Sequence, residues 1–428
     1  MSNLLEKASI ITTPTAYSDG VLHSVKPSES PYADFTFTRN SPGTRVNASG
    51  NIESVGVDLP RIDYRGGCGS LLLEPEVTNT ATDSNDFTVG YMFETTIGNP
   101  SLVNAILTSA QATSPDGTNN AWKFADDNGG GTDSCSIPYY AQEVIVDNYN
   151  TVSLFVKKQG NNDWFYINLA GWGTEVNGST WFDIANGALG NVSSNHTASI
   201  VDYGNGWYRC SITFQATTDL QGSIQFRLAT SDGGGIVLRD GTNGVYIYGL
   251  QAESHSTRQY ATSYIPTSGD PQTRGADLAI DAGSSDLISS TEGVLYLKVA
   301  ALNSINNFES ITLSNGGLTE RIRFMLSNIE NRISIQVDTG NGSGVFRNYT
   351  LSDITSFNKI AIKYKQDDYA IWINGVEEIT VTTGAVPTLN ELNFTAGSSS
   401  GGKFIGNVKC VAVFQEALTD AELTALTS

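Results

Sequence analysis

Few residues of this chain can carry covalent chemistry. Three histidines, four cysteines and three methionines are spread over 428 residues. His23, His196 and His255 lie far apart, with no His-x-x-x-His and no Ser-His-Asp arrangement, so zinc hydrolysis and triad chemistry are not expected. Cys68, Cys135, Cys210 and Cys410 form no Cys-x-x-Cys pair, and each reads as a free buried thiol. No glycine-rich phosphate loop is present; the 43 glycines stand among Ser, Thr, Asn and Asp, as turn formers do. Basic residues are scarce, 24 against 44 acidic ones, giving a formal charge of −20. Such a surface repels phosphates and argues against nucleic acid as a partner. No segment approaches the roughly 20 apolar residues of a membrane span. The opening MSNLLEKASIITTPT, with Glu6 and no apolar run, does not read as a signal peptide. Neither membrane insertion nor a secretory weight for triplets such as Asn177-Gly178-Ser179 is expected.

What the chain has in quantity is alternation. In WYRCSITF, Tyr208, Cys210, Ile212 and Phe214 point one way and Trp207, Arg209, Ser211 and Thr213 the other, the period of a half-buried strand. The same parity puts Val152, Leu154 and Val156 inside, then Phe165, Ile167 and Leu169, then Phe182 and Ile184, then Ile224, Phe226 and Leu228. Strands of this length between Gly/Asn/Asp/Ser turns predict an all-β chain of two tandem antiparallel β-sandwiches, the first jelly-roll-like. The expected divisions are an extended arm at 1–31, held by a neighbouring chain, and a small β segment at 32–79. A first sandwich follows at 80–267 and a second at 268–428, across the composition break TSGDPQTRGADLA. Phe35 and Phe37 alternate with polar neighbours, and Gly50 marks a hairpin turn. Asn374-Gly375 predicts a type I′ hairpin, and Thr419 with Glu422 predicts a capping box opening a C-terminal helix.

Sugars are held by aromatic rings stacked on their C–H faces and by planar polar groups that satisfy their hydroxyls. The outward parity set offers those types: Trp164, Tyr166, Trp181, Arg209, Gln225 and Arg227, with Trp207 beside them. The alternative is that this face packs on the arm, on the 32–79 segment or on a sister subunit. Trp172, in AGWGTE, is either a sugar contact at a loop tip or a loop anchor. Trp372 reads as core or interface packing. Two acidic pairs bear on hydrolysis, which needs an acid and a nucleophile flanking one bond. Glu377 and Glu378 are adjacent and point to opposite faces of a strand; Glu175 and Asp183 are the remaining pair. No catalytic activity is expected.

Three stretches resemble known families. FTFTRNSPGTRVNASGNIESVGVDLPRIDYRGGCGSLLLEPEVTN is similar to a segment near the start of phage tail and other virion proteins. Gly249-Leu-Gln-Ala-Glu253 with Ala261-Thr-Ser-Tyr-Ile-Pro-Thr267 resembles the ending of a phage carbohydrate-binding-like sandwich. WINGVEEI and GNVKCVAVFQEALTDAELTAL resemble the laminin-G and concanavalin A-like lectin/glucanase superfamily. The resemblances imply a bacteriophage virion protein of fibre or decoration type, placed at the virion surface after synthesis in the host cytoplasm. Its implied partners are capsid or tail proteins, its own copies as a homotrimer, and cell-surface or environmental glycans. No cofactor is implied beyond calcium near a loop rim, for which Asp286 and Asp353 are acidic candidates. The rival readings are a purely structural decoration protein and a glycan-degrading tail enzyme.

Overall fold

The computed structural model describes residues 4, 6–14, 16–27, 31–88, 102–139, 145–160, 162–216, 222–340, 342–397 and 401–428. Regular structure among them is almost entirely antiparallel strand, as the alternation predicts. Contacts divide the chain into two units, each drawn from separate stretches. One comprises Met1–Pro42, Val55–Glu76 and Gly275–Ser428; the other comprises Gly43–Ser54 and Val77–Arg274.

The second of these, here the central unit, is a sandwich. Its six-stranded sheet runs in the order Ala105–Ala112, Ala121–Asp126, Gly244–His255, Tyr149–Gln159, Trp207–Gln215, Thr197–Asp202. Its five-stranded sheet runs Ser136–Tyr139, Ser223–Ala229, Trp164–Ala170, Gly178–Asp183, Ala188–Leu189. The inward residues of both sheets meet in one core: Val152, Leu154, Val156, Cys210, Ile212 and Phe214 from the first, Phe165, Ile167, Leu169, Phe182, Phe226 and Leu228 from the second. Burying each large apolar side chain contributes about 1.5–3 kcal/mol. Gly249 is required here. It takes a φ of 64° at an irregularity in the pairing with Tyr149–Gln159, and a Cβ would come within 2.8 Å of the Phe155 ring.

The outer face of the six-stranded sheet is not open. The hairpin of Gly43–Val46 and Ile52–Val55 supplies Val46 and Ile52 to a second cluster with Ala121, Phe155, Tyr203, Trp207, Tyr248 and Tyr264. The ATSYIPT stretch is clamped there by buried polar groups. Gln251 Oε1 accepts from the Ile265 N–H at 2.6 Å, and its amide donates to the Ser263 carbonyl at 3.3 Å. Glu253 accepts from the Thr262 N–H at 3.0 Å, the Thr262 hydroxyl at 3.1 Å and Arg258 at 3.0 Å. The stretch 267–279, expected as a linker, supplies the strand Gln272–Arg274 that pairs with Val77–Asn79.

The other unit, here the terminal unit because it holds both ends of the chain, has an eight-stranded sheet. Its main path runs Val376–Val381, Tyr369–Ile373, Asn358–Lys365, Glu292–Ala301, Gly406–Phe414, Ser70–Leu73, Arg61–Asp63. Residues 1–31 were expected as an extended arm held by a neighbouring chain, but Ala8–Thr12 pairs antiparallel with Gly406–Phe414 of its own chain, from Ala8 opposite Phe414 to Thr12 opposite Val411. Short as it is, ASIIT buries four of five side chains, which makes docking on its own unit favourable. A five-stranded sheet of Ser343–Thr350, Arg332–Thr339, Glu320–Leu326, Glu309–Ser314 and Glu391–Asn393 shares one core with the first, and Phe35 and Phe37 enter that core from Phe35–Thr38. Asn374 and Gly375 take φ of 48° and 92°, as a type I′ turn requires. The helix Asp420–Thr427 opens with the expected capping box of Thr419 and Glu422. It covers Trp372 with Leu418, Leu423 and Leu426, joined by Leu4 and Ala8.

The 32–79 stretch is thus not a separate module. Its ends join the terminal unit and its hairpin joins the central one. Three of its charged groups, Arg39, Arg61 and Glu74, form a buried network with Asp277 in the terminal unit. Arg39 Nη1 donates to Asp277 Oδ1 at 3.0 Å, Arg61 Nη1 to Glu74 Oε2 at 2.7 Å, and Arg61 Nη2 to Asp277 Oδ2. The Glu74 N–H donates to Asp277 Oδ2 at 2.9 Å. Both guanidiniums and the Asp277 carboxylate are wholly shielded from solvent. Burial pulls Arg61 down, but Asp277 and Glu74 outweigh it and hold the guanidinium above its ordinary value.

Candidate functional site

The central unit's five-stranded sheet gathers most of the expected site. Trp164–Ala170 lies between Ser223–Ala229 and Gly178–Asp183, so Tyr166 sits opposite Arg227 on one side and Trp181 on the other. One register step along the same face, Asn168 sits opposite Gln225 and Ser179. Two cross-strand rows therefore lie side by side on the outer face, Arg227–Tyr166–Trp181 and Gln225–Asn168–Ser179.

The first row is an aromatic stack with a cation at its end. The Tyr166 and Trp181 rings lie 5.0 Å apart at 12°. Arg227 Nη1 donates to the Tyr166 hydroxyl at 3.1 Å, with the guanidinium carbon 5.8 Å from the ring centre. Arg227 Nε has no hydrogen-bond partner among the described residues. The second row is a chain of amides and hydroxyls: the Ser179 hydroxyl donates to Asn168 Oδ1 at 2.8 Å, the Asn168 amide to Gln225 Oε1 at 3.0 Å, and the Gln225 amide to the Ser223 hydroxyl at 3.1 Å. Asn168 and Ser179 share the outward parity of Tyr166 and Trp181, so the signal that selects the aromatics selects them too; sequence reasoning passed over them.

A glycine-rich loop, SDGGGI at 231–236, overlies the aromatic row. Trp181 Nε1 donates to the Gly234 carbonyl at 2.7 Å, and a Cβ on Gly235 would fall 2.6 Å from the Tyr166 hydroxyl. Tyr166 is accordingly only 4% exposed. Trp164 is half-buried against Gly190, where a Cβ would meet its ring at 2.6 Å. Trp181, Arg227, Gln225 and Asn168 keep partial exposure.

Two expected site residues do not belong to this face. Trp172 is 1% exposed, 5.6 Å from the Phe214 ring in the sandwich core, and its N–H donates to Asn177 Oδ1 at 3.1 Å. It is the loop anchor of the two readings. Arg209 is 3% exposed and lies on the outer face of the other sheet, its guanidinium carbon 5.2 Å from the centre of the Phe155 ring and bonded to the Ser153 hydroxyl and the Thr262 carbonyl. Trp207 lies there too, 1% exposed, with Nε1 donating to the Thr113 carbonyl at 3.0 Å. Both have the outward parity expected, but the hairpin and the ATSYIPT stretch cover that face.

The acidic pairs do not form a hydrolytic site. Glu175 lies in the turn before the strand Gly178–Asp183 and Asp183 at that strand's far end, about 17 Å along it from Gly178, whereas the two carboxyls of a glycosidase stand roughly 5–9.5 Å apart. Asp183 is also engaged by the Ala185 and Asn186 N–H groups, both at 3.0 Å. Glu377 accepts from the Thr380 hydroxyl at 2.7 Å, and Glu378 bonds Tyr349. Among the described residues no three of His, Cys, Asp and Glu gather as metal ligands. Asp353 accepts from Thr355 and Ser356, and Asp286 is exposed. His196 is buried between Thr180 and the Val176 carbonyl, and burial lowers its pKa. Cys135 and Cys210 are buried free thiols, Cys410 is half-buried, and Cys68, expected inside, is exposed in a turn. Burial pushes the Cys135 thiol up to about 11.

No curated protein matches this chain. Solved structures similar to parts of it include the CBM40 of the Ruminococcus gnavus IT-sialidase bound to α2,3-sialyllactose, with 15% identity and a TM-score of 0.28 over 32% of this chain and 83% of that one. Domain 4 of AbnA, a GH43 extracellular arabinanase from Geobacillus stearothermophilus in complex with arabinotriose, gives 14% identity and a TM-score of 0.30 over 40% and 84%. Domains LG4-5 of the mouse laminin α1 chain give 10% and 0.24 over 66% and 90%. Residues 298–424, within the terminal unit, match the family model described as the concanavalin A-like lectin/glucanases superfamily.

Proposed function

We propose that this protein is a non-catalytic glycan-binding protein and that the central unit's five-stranded sheet presents the binding face. The observation that carries this reading is the pair of cross-strand rows: a Tyr166–Trp181 stack ending in Arg227, beside the planar amides of Asn168 and Gln225. A partly exposed indole edge, guanidinium and pair of amides meet both needs of a sugar, an apolar surface for its C–H face and donors and acceptors for its hydroxyls. Weak binding per site gains strength from many copies. The setting follows from sequence resemblance alone: FTFTRNSPGTRV and GLQAE…ATSYIPT support display on a bacteriophage particle as a homotrimer bound to capsid or tail proteins. The pairing of Ala8–Thr12 within its own unit leaves the attachment to other segments.

Calorimetric titration against neutral and acidic oligosaccharides tests the binding face. Gln225→Ala and Arg227→Ala should each weaken binding about tenfold while thermal unfolding stays unchanged, since both side chains are partly exposed. Unchanged affinity in both variants, or binding by neither the native protein nor the variants, would end this reading. Release of reducing ends by the native protein would replace it with the enzyme alternative.

A further inference from the structure

A second feature of the central unit carries chemistry that the sheet face does not use. A groove of about 760 Å³ opens beside the strand Ala121–Asp126, a size typical of small-molecule sites. Trp122, half-buried, forms part of its lining; its Nε1 donates to the Asn85 carbonyl at 3.0 Å, and its ring lies 6.1 Å from Phe87, which fixes the indole in place. Around it stand Asp83, Asp86, Asn119, Asn120 and Gln272. Among the described residues that line the groove there is no Lys, Arg or His.

Two local costs converge on its wall. Ala110 holds a φ of 55° in an irregular stretch of the Ala105–Ala112 strand, between the paired residues Thr108 and Ala112. A left-handed alanine costs about 1–2 kcal/mol. Asn120 donates its amide to Asp116 Oδ2 at 3.1 Å, but its Oδ1, shielded from water, has no partner among the described residues. An acceptor left unmade in this way costs about 1–3 kcal/mol. A bulge re-aims a strand's side chains, and here it opens the wall that Ser109 and Ala110 share with Asn119 and Asn120.

We infer that this groove is a second carbohydrate site, for a neutral sugar unit of an oligosaccharide, stacked on Trp122 and held through its hydroxyls by Asp83, Asp86, Asn119, Asn120 and Gln272. Carboxylates are strong acceptors for sugar hydroxyls, while two of them without a cation disfavour uronate and sialate ligands. The site shares only its ligand class with the sheet face, which carries Arg227 and suits acidic as well as neutral sugars.

The test uses the full chain and a panel of glucose-, galactose-, mannose- and xylose-based oligosaccharides, with glucuronate and sialyl counterparts. Binding is read by titration and by the change in tryptophan emission. With the sheet face disabled by Arg227→Ala, the groove should still take at least one neutral sugar, with affinity reduced tenfold or more when Trp122→Ala or Asp86→Ala is added. Asp86→Ala touches a partly exposed side chain and Gln272→Ala an exposed one, so they keep the test decisive should Trp122→Ala fail to fold. No neutral binding, or neutral binding that survives Asp86→Ala and Gln272→Ala, overturns the groove. Neutral binding lost in Arg227→Ala but kept in the groove variants overturns it while leaving the sheet face standing.

Discussion

Replacing Asp277 with alanine should be among the most damaging single changes in the terminal unit. Asp277 accepts from Arg39 on one oxygen and from Arg61 and the Glu74 N–H on the other, and no part of its side chain reaches solvent. With it, two guanidiniums face two carboxylates; without it, one buried positive charge is uncompensated. Removing one partner of a buried ion pair typically costs about 3–5 kcal/mol, because the remaining charge cannot be resolvated. At about 2–4 °C per kcal/mol for a unit of this size, the melting temperature should fall by roughly 6–20 °C. Arg39 still donates to the carbonyls of Ser41 and Leu59, both at 2.9 Å. That relief places the expected loss nearer the lower figure. Asp277→Asn keeps the shape and one acceptor but turns an amide N–H₂ toward a guanidinium, so it should recover little. Hydrogen exchange by mass spectrometry on peptides covering 35–42, 57–76 and 275–300 would read the loss of protection within this unit. A loss below about 1 kcal/mol, the worth of an exposed pair, would show that the network is solvated in solution and would refute the argument.

Three further outcomes follow from the same bookkeeping. Burial raises the Glu309 carboxyl above its ordinary 4.5, against the Asn307 N–H that favours the anion; a raised acid weakens the fold once pH exceeds the unfolded value, so Glu309→Gln should stabilise the protein at pH 7 and leave it unchanged below pH 4 in denaturant titrations. The Lys7 ammonium, 2.5 Å away, together with the Thr419 N–H and hydroxyl, holds Glu422 down at about 2. Its contribution is therefore present above pH 4.5 and lost as pH falls toward 2; an NMR titration of Glu422 should show that midpoint, moved upward in Lys7→Ala. Trp172→Ala should cost about 3–5 kcal/mol as a core truncation while leaving glycan affinity of the folded fraction unchanged; a pure loss of affinity without loss of stability would restore Trp172 as a sugar contact.

The period of two made nearly every inward residue of the central sandwich legible, and Cys210, Ile212, Phe226 and Leu228 lie where alternation puts them. It failed at the outward set for a physical reason. Parity says that a side chain leaves its own sheet's core, but the outer faces of two packed sheets look in opposite directions. Trp207 and Arg209 leave the six-stranded sheet, Tyr166 and Trp181 the five-stranded one, so a single face was never available to all of them. Nor does parity reveal a third layer. The hairpin that covers Trp207 begins more than a hundred residues earlier, and its signal, Gly50 at a turn, says nothing about where the hairpin packs. Ala8–Thr12 is a similar case: ASIIT has the apolar content of a strand, but its partner lies about four hundred residues away. The groove around Trp122 is assembled from four separated stretches and has no local signature at all.

The stretches that resemble virion proteins turn out to hold the fold's buried polar locks. Arg39, Arg61 and Glu74 come from the first, and they close on Asp277 beyond the central unit's last residue. Gln251 and Glu253 come from the second, and they hold the backbone of Thr262 and Ile265. Buried polar groups of this kind tolerate few substitutes, since each lost partner leaves an unsatisfied group in low dielectric. A sequence pattern built on such locks reports a shared way of closing the chain on itself. It carries no information about a ligand, because none of these side chains reaches solvent. Specificity must therefore reside in residues outside the locks, and the partly exposed Arg227, Gln225, Trp181 and Trp122 are where a change of one side chain can alter what is bound without altering the fold.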